Sequence, residues 1–317
     1  MSKTKIFNET IYFKSRCAIN YRLNLLNKDL DKWILINKNM YLTNDVLSLI
    51  PQNSNFNECL FKDFIETICV SEEEISFDKL IDAINKRYYF IFSFDTFNYK
   101  NNRFYKKFSQ VNTGIIYGYK KDKFQLYMAK DISGSQFDQL NFSELKEIFL
   151  KEPKKRETEI KFSSWGLPFS YITKIPFNKK IKKEDVYSNF LEFFDQNNEL
   201  KNIEVINYLS KNIIEICKKI KIERRNYDCI DIFLFLFDFG LIQKRQLEFL
   251  KLSDMIEIIN CILQNIEQSK LLYARYIFKD DENYLIKIKE KFDTIQIKYL
   301  ELYDKMKANS QRFRKLI

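Results

Sequence analysis

The chain has 317 residues, of which 45% are apolar and 30% are charged, so it can bury a large core in about two domains. It contains no histidine, which excludes Ser-His-Asp triads, Cys-His dyads and HExxH zinc sites. Its five glycines lack the spacing of a phosphate-binding loop or a dinucleotide-binding turn. The net charge is +10, but the lysines are interspersed with asparagines and acidic residues. We therefore expect a solvated cationic surface rather than a nucleic-acid-binding stripe.

The cysteines do not form a metal or redox motif. The closest two of the six, Cys59 and Cys69, are ten residues apart, which excludes a CxxC pair. We expect no metal, no cofactor, and reduced thiols in a cytoplasmic protein. Residues 1–13 lack the continuous apolar segment of a signal peptide. The longest apolar stretch, 230–242, is too short to span a membrane and contains two aspartates.

Mixed helix and strand patterns occupy the first half of the chain. Residues 88–94 form an aromatic run typical of a buried strand, and the polar link Lys120–Lys123 joins two further apolar runs as a hairpin. Asn141 or Ser143 can cap the short helix that follows. Helices followed by an antiparallel sheet predict an α+β domain. In chain order, the predicted elements are a helix at 17–26, a strand or loop at 33–42, strands at 88–94, 113–119 and 124–128, a helix at 144–149, and a strand at 157–162.

Three prolines and a glycine between residues 150 and 180 separate this domain from a helical second half. Beyond them, apolar residues recur with the period of an α-helix. We predict an α+β domain at residues 1–177 and a helical bundle at residues 178–317. The acidic run Asp280–Glu282 is expected to cap the last helix. The predicted helices are 183–196, 203–220, 253–268 or beyond, and 283–306.

The strands around the predicted hairpin resemble those of a known family. The run Tyr88–Phe90 leads to Asp95, and the sequence NTGIIYGY follows at Asn112–Tyr119. These runs are similar to the "yYV…vD" and "HxxLIYGY" strands of the papain-like N-terminal domain of butirosin-biosynthesis-H-like proteins, distant relatives of the C39 peptidases. Such proteins occur in bacterial natural-product and antibiotic clusters. The resemblance implies a papain/C39-like fold for residues 1–177, followed by an all-helical C-terminal region.

The resemblance also implies roles for individual residues. Cys17 matches the family's nucleophile, a cysteine that opens a helix, and Asp131 matches the carboxylate that orients the base. Asn112 occupies the position of the family's catalytic histidine. Helix and strand oppose each other in papain-like folds, so we expect Cys17 and Asn112 to lie close together across one cleft. Asp95 and Tyr117 are expected to bind the substrate.

The asparagine at position 112 changes the chemistry that this cleft could perform. An amide orients and donates hydrogen bonds but transfers no proton, and general acid–base help is worth about 10²–10⁴-fold in rate. A thiolate at a helix N-terminus could still attack an activated thioester, but not a peptide bond. Cys17 and Asp131 also fit plain structural roles, as a packed thiol and a turn residue, and these alternatives stay open.

The resemblance and the missing histidine together favour a degenerate member of the family. We expect a protein of a peptide or antibiotic biosynthetic system that binds an acyl or peptidyl substrate linked to a carrier protein. One alternative is a Cys17-dependent acyltransferase or amide-forming enzyme that uses a carrier-protein thioester. A second alternative, suggested by the charge alone, is a nucleic-acid-binding or phage-related protein. The expected partners are a carrier protein and a small-molecule or peptide substrate, and a homodimer stays open.

Overall fold

A computed structural model describes most of the chain as two compact units. Contacts group Arg16–Asn27 with Asn53–Phe177 in a sheet unit, and Lys28–Gln52 with Asn178–Ile317 in a helical unit. Residues 28–52 therefore belong with the helices, although the sequence places them in the first domain. The described residues are 2–4, 17–37, 39–43, 46–48, 60–101, 105–107, 111–128, 136–149, 169–194, 201–223 and 226–310.

The fold class is α+β, with an antiparallel sheet and a mostly helical C-terminal half. The sheet has seven strands in the order β4-β9-β5-β6-β7-β8, with β1 pairing to β6, and β2 and β3 form a separate hairpin in the helical unit. Every pairing is antiparallel, as the sequence predicts. The described strands are β1 (Ser2–Thr4), β2 (Tyr41–Thr43), β3 (Val46–Ser48), β4 (Ile65–Cys69), β5 (Tyr89–Asp95), β6 (Val111–Lys120), β7 (Lys123–Met128), β8 (Gln136–Asn141) and β9 (Phe169–Lys174).

The α-helices that the sequence predicts at 17–26 and in the second half are confirmed, some with shifted ends. In the described residues, no helix is both long and apolar enough to cross a lipid bilayer. The described helices are α1 (Cys17–Leu26), α2 (Leu30–Ile36), α3 (Phe77–Asn85), α4 (Phe142–Ile148), α5 (Lys183–Glu192), α6 (Ile203–Ile222), α7 (Asn226–Leu250), α8 (Ser253–Lys279) and α9 (Asn283–Ala308).

An aromatic core covers one face of the sheet. The alternation of β5 places Phe90, Phe92 and Phe94 on the same face, and each is at most 1% exposed. Buried residues of α3 and α4 belong to the same cluster. The ring of Phe149, which follows α4, lies 5.5 Å from that of Phe92. Close ring pairs of this kind add stability beyond the burial of their area.

The hairpin predicted at Lys120–Lys123 is confirmed. Lys120 pairs with Lys123, so Lys121 and Asp122 form the turn. Lys121 has a φ of 57°, in the left-handed region that two-residue hairpin turns require. One extra residue in β6 shifts the register between Ile116 and Gly118. This β-bulge lies at Tyr117.

The structure corrects the expectation of a strand or loop at 33–42 in its first part only, since residues 39–40 have no regular structure and strand β2 begins at Tyr41. Residues Leu30–Ile36 form helix α2, and Trp33 in its middle is fully buried. Gln246 of α7 donates hydrogen bonds to the carbonyl oxygens of Ile34 and Asn37, at 3.1 and 2.9 Å. These bonds satisfy carbonyls that a helix end leaves unpaired. The strand expected at 157–162 lies outside the described residues.

The acidic run before α9 stabilises the start of that helix, as the sequence predicts. Asp281 accepts the backbone N–H of Asn283 at 2.9 Å. Asp280 forms an ion pair with Lys221 of α6, and Glu282 forms one with Lys218 at 2.8 Å. The run therefore also joins the end of α6 to the α8–α9 connection.

Replacement of Gly114 by alanine tests the aromatic core. A Cβ atom at this position would lie 2.6 Å from Cζ of Phe92 and 3.2 Å from Cγ of Met128, and both side chains are buried. We expect Gly114→Ala to lower the free energy of unfolding by about 1–3 kcal/mol, the usual cost of overpacking a core. Chemical denaturation measures this loss. In a Phe92→Leu background, which removes the clashing ring atoms, the same change should cost less, and an equal cost would contradict this packing.

Candidate functional site

Cys17, the residue expected to open a helix, is the first described residue of helix α1. The backbone of Cys17 is described, but its side chain lies outside the described residues. Asp131 also lies outside them. The roles of these two residues therefore stay predictions.

Helix α1 covers the face of the sheet opposite the aromatic core. Lys174 of β9 donates a hydrogen bond from Nζ to the carbonyl oxygen of Leu26, the last residue of α1, at 2.8 Å. Ser170 lies four positions before Lys174 in β9 and so points to the same face. Paired residues share a face, and Ser170 pairs with Ile91, which pairs with Ile115. Ile115 of β6 therefore points towards the α1 side.

Asn112 points to the other side of the sheet. It lies three residues before Ile115 in a regular stretch of β6, so the two side chains are on opposite faces. Asn112 pairs with Phe94, whose ring belongs to the aromatic core. Its Nδ2 atom is buried and has no hydrogen-bond partner among the described residues. This orientation does not favour the expected pair between Asn112 and Cys17.

A buried arginine and an exposed thiol lie on the α1 side. Arg22 of α1 is 3% exposed, and burial lowers the pKa of its guanidinium to about 10, against the opposing effect of the nearby Cys69 charge. Ser170 donates a hydrogen bond from Oγ to Sγ of Cys69 at 3.7 Å. Cys69 is an exposed free cysteine, whereas Cys217 is buried. Any assay of thiol chemistry must therefore separate Cys69 from Cys17.

A cavity of about 410 Å³ lies at the end of β5 and contains Asp95 in its wall. This volume falls within the range of small-molecule sites, roughly 300–1,000 Å³. Two carboxylates and two ammonium groups face the same space, together with one amide and two aromatic rings. The lining residues are Asp95, Asn98, Lys100, Tyr105, Lys106, Glu147 and Phe149.

The loop after β5 holds one wall of the cavity. Oδ1 of Asp95 accepts the backbone N–H of Phe97 at 2.9 Å, which starts a tight turn directly after the strand. The backbone N–H of Lys106 donates to the carbonyl oxygen of Phe97 at 3.0 Å. The Lys106 ammonium lies 4.8 Å from the centre of the Phe97 ring and 5.4 Å from that of Tyr105. Aromatic faces attract cations at such distances, so they help to position this ammonium group.

Helix α4 supplies the other wall. Asn141 caps this helix, since its Oδ1 accepts the backbone N–H of Glu144 at 2.9 Å. In turn, Oε2 of Glu144 accepts the backbone N–H of Asn141 at 2.9 Å. The backbone of Phe149, just beyond α4, forms a bridge to Phe94 near the end of β5. This bridge places Glu147, in the last turn of α4, beside Asp95 in the cavity wall.

A buried tyrosine fixes the loop to strand β8. Tyr99 is 2% exposed and donates its hydroxyl hydrogen to Oδ2 of Asp138. Asn101 donates to the same carboxylate oxygen at 2.6 Å. Burial and the neighbouring carboxylate raise the pKa of Tyr99, which keeps its hydroxyl protonated as the donor. The cavity wall is thus tied to the far edge of the sheet.

Tyr117, the other residue expected to bind substrate, lies far from the cavity. Asp95 pairs with Val111, and Tyr117 is six residues further along β6, which corresponds to about 20 Å at the usual rise of a strand. The ring of Tyr117 packs against Phe137 of β8, with ring centres 6.1 Å apart. Partial burial raises its pKa. The structure therefore separates Asp95 and Tyr117 into two surfaces.

The other residues that line the cavity with Asp95 are not among those predicted from the sequence. Lys100, Tyr105 and Lys106 follow it within a dozen residues, and a polar loop directly after a buried strand is the signal that could have found them. Glu147 carries no such signal, because only the contact between Phe149 and Phe94 brings it close.

Comparisons with known proteins do not identify the chain. No family model matches it, and no curated protein matches it either. Among the described residues, no group of three or more cysteines, aspartates and glutamates is arranged to hold a metal ion. The function is therefore inferred from the geometry of the described residues and from the resemblance stated above.

Replacement of Tyr99 by phenylalanine tests the anchoring of the cavity loop. The change removes a buried hydrogen bond to a carboxylate, and we expect it to lower the free energy of unfolding by about 1–3 kcal/mol. The amides of Asn98 and Lys106 should exchange with solvent faster, which hydrogen-exchange mass spectrometry can measure. Tyr88→Phe is the matched control, because Tyr88 donates to Glu66 on the surface at 2.7 Å and its loss should have little effect. Equal effects of the two variants would contradict an anchoring role for Tyr99.

Proposed function

We propose that the protein binds an aminoacyl or peptidyl group, presented on the phosphate-bearing arm of a carrier protein, in the cavity at the end of β5. The proposal depends on one observation. The carboxylates of Asp95 and Glu147 line the same cavity as the ammonium groups of Lys100 and Lys106. The resemblance to the C39-like family of natural-product clusters supports the same ligand class.

The charges of the wall match the two ends of such a ligand. A free amino group carries a positive charge and is bound by carboxylates through charge-assisted hydrogen bonds. Lysine ammonium groups bind phosphate as point charges. Tyr105 and Phe149 add apolar surface for a side chain of the bound residue. The amino group and the phosphate of such a ligand are separated by the whole length of the arm, so the arm has to fold back for one molecule to contact both pairs.

Binding without proton-transfer catalysis agrees with the residues that are present. The chain contains no histidine, and Asn112, at the position of the family's base, points away from the side of the sheet that α1 covers. A Cys-His pair is therefore absent by composition, and asparagine cannot replace its proton transfer. This supports a degenerate, ligand-binding member of the papain-like group.

Calorimetric titration with three probes tests the proposed ligand. The probes are an amide-linked alanyl phosphopantetheine, its N-acetylated form, and the alanyl pantetheine without phosphate. We expect the first to bind most tightly, because acetylation removes the cation that Asp95 and Glu147 bind and dephosphorylation removes the anion that the lysines bind. Asp95→Asn and Glu147→Gln should each weaken binding of the first probe by about tenfold.

The control for these variants is Asp122→Asn, which removes an exposed carboxylate from the β6–β7 turn. It should bind the first probe like the wild-type protein. Failure of all three probes to bind, or equal binding by Asp95→Asn and wild type, would reject the proposal. Tight binding of a free dipeptide without any carrier arm would show that a peptide, rather than a carrier-linked group, is the ligand.

A second candidate function is acyl transfer through Cys17, which the resemblance places at the family's nucleophile and which is the first described residue of helix α1. Its sulfur would attack the thioester carbonyl, the carrier thiolate would leave, and the acyl group would remain on the protein as a new thioester. The N-terminus of a helix stabilises a thiolate, and a thioester needs no general acid for its leaving group.

Intact-mass measurement after incubation with acyl-carrier thioesters tests this alternative. We expect little or no acyl adduct on the wild-type protein, because the chain has no histidine to activate the thiol. An adduct that is absent from Cys17→Ala, with peptide mapping to exclude Cys69, would instead establish acyl transfer. Asn112→His should bring no gain in loading, since residue 112 points away from the α1 side.

A further inference from the structure

The strands β6, β7 and β8 bring three aromatic rings together away from the cavity, of which Phe137 is exposed, Tyr117 is half-buried and Tyr127 is buried. Phe137 is 52% exposed, and its ring centre lies 5.1 Å from that of Tyr127 and 6.1 Å from that of Tyr117. The rings come from three neighbouring strands. Tyr117 lies two residues after Ile115, which pairs with Tyr127, so alternation places its ring on the same face as Tyr127 and Phe137. We call the face of β6–β8 that carries these three rings the meander face.

The register of the strands places two lysines on the same face. Phe137 pairs with Tyr127, and alternation along β7 then brings Gln125 and Lys123 to the face that Tyr127 occupies. Lys123 pairs with Lys120 of β6, so both lysines point to the meander face. Both are exposed. They lie about 13 Å from the aromatic rings, four residues along the strand.

The described strand residues of this face include no acidic side chain. Gln139 of β8 pairs with Gln125 and adds a second amide. Asp138, the aspartate of β8, belongs to the opposite face, where it accepts hydrogen bonds from Tyr99 and Asn101. Ammonium groups, amides and an exposed ring thus occur together without a carboxylate among the described β6–β8 residues that face this way.

We infer that the meander face binds single-stranded nucleic acid. An exposed phenyl ring offers a platform on which an unpaired base stacks, and the lysines are placed to contact phosphates of the adjoining backbone. The exposed Gln139 can donate to and accept from base edges. The scattered net charge of +10 did not by itself favour nucleic acid, whereas this local grouping of rings and lysines does. The inference is independent of the ligand proposed for the cavity.

Fluorescence anisotropy with the full chain tests the inference. The probes are fluorescein-labelled oligo(U) and oligo(dT) of about 15 nucleotides, near the upper end of usual site sizes. We expect salt-sensitive binding of at least one of them, and weaker binding of duplex DNA of the same length, because its bases are already stacked. Phe137→Ala and Phe137→Leu should each weaken binding about fivefold or more, since both remove the ring and the second keeps an apolar side chain.

The lysines have a separate signature in the salt dependence. The double variant Lys120→Gln, Lys123→Gln should lower the slope of log affinity against log salt concentration by about 1.4, since each phosphate contact on a single strand contributes about 0.7. Phe137→Ala should leave this slope unchanged, because the ring contacts bases rather than phosphates.

The helical unit provides matched controls. Phe278 is 89% exposed on α8, and Lys279 and Lys287 are exposed nearby. Phe278→Ala and the double variant Lys279→Gln, Lys287→Gln should bind like the wild-type protein. The inference is overturned by an absence of binding at low salt, by unchanged affinity in the Phe137 variants, by an equal loss in the controls, or by a preference for duplex DNA.

Discussion

The sheet unit depends on the burial of alternate phenylalanines of β5 against one face. Because strand side chains alternate, burying Phe90, Phe92 and Phe94 assigns Ile91 to the opposite face, where α1 lies. Paired residues of neighbouring strands point to the same face, so the pairing register also fixes the face of each residue in those strands. A slip of one residue would turn three large rings towards the α1 side and leave the aromatic core empty. The orientation of Asn112 and the composition of the meander face follow from this one constraint.

The parts of the fold that the sequence predicts are those with a strong periodic pattern of their own. The β5 strand, the β6–β7 hairpin and the long helices of the second half need no distant contact to be recognised. Helix α2 has only seven residues and is held by Gln246, more than 200 positions away. Residues 28–52 join the helical unit through similar distant contacts, since Asn202 exchanges hydrogen bonds with the backbone of Met40. No local pattern predicts such partners.

Residues of the candidate sites can likewise be predicted only where a local sequence pattern marks them. Asp95 can be predicted from its position at the end of an aromatic strand, but Glu147 joins it only because Phe149 pairs beside β5. Tyr117 can be predicted as notable within its motif, and alternation from Ile115 gives its face, but the bulge at this position reverses the faces expected for Gly118 and Tyr119. Cys17 is predicted to open a helix and is the first described residue of α1. Its expected partner at position 112 fails to face that helix, because the buried rings of β5 decide which way β6 presents each side chain.

The net charge of the chain says little about ligands, because the two surfaces use charge in opposite ways. The cavity at the end of β5 combines both signs within one small volume, so it can contact charged groups of either sign. The meander face presents cations beside aromatic rings, which favours an extended anion with stacking groups. A chain without histidine also lacks the side chain that ordinarily changes its charge between pH 5 and 8. Which ligand each surface binds therefore depends on where the fold places lysines and carboxylates. Salt concentration, rather than pH in the physiological range, is the variable that distinguishes binding at the two surfaces.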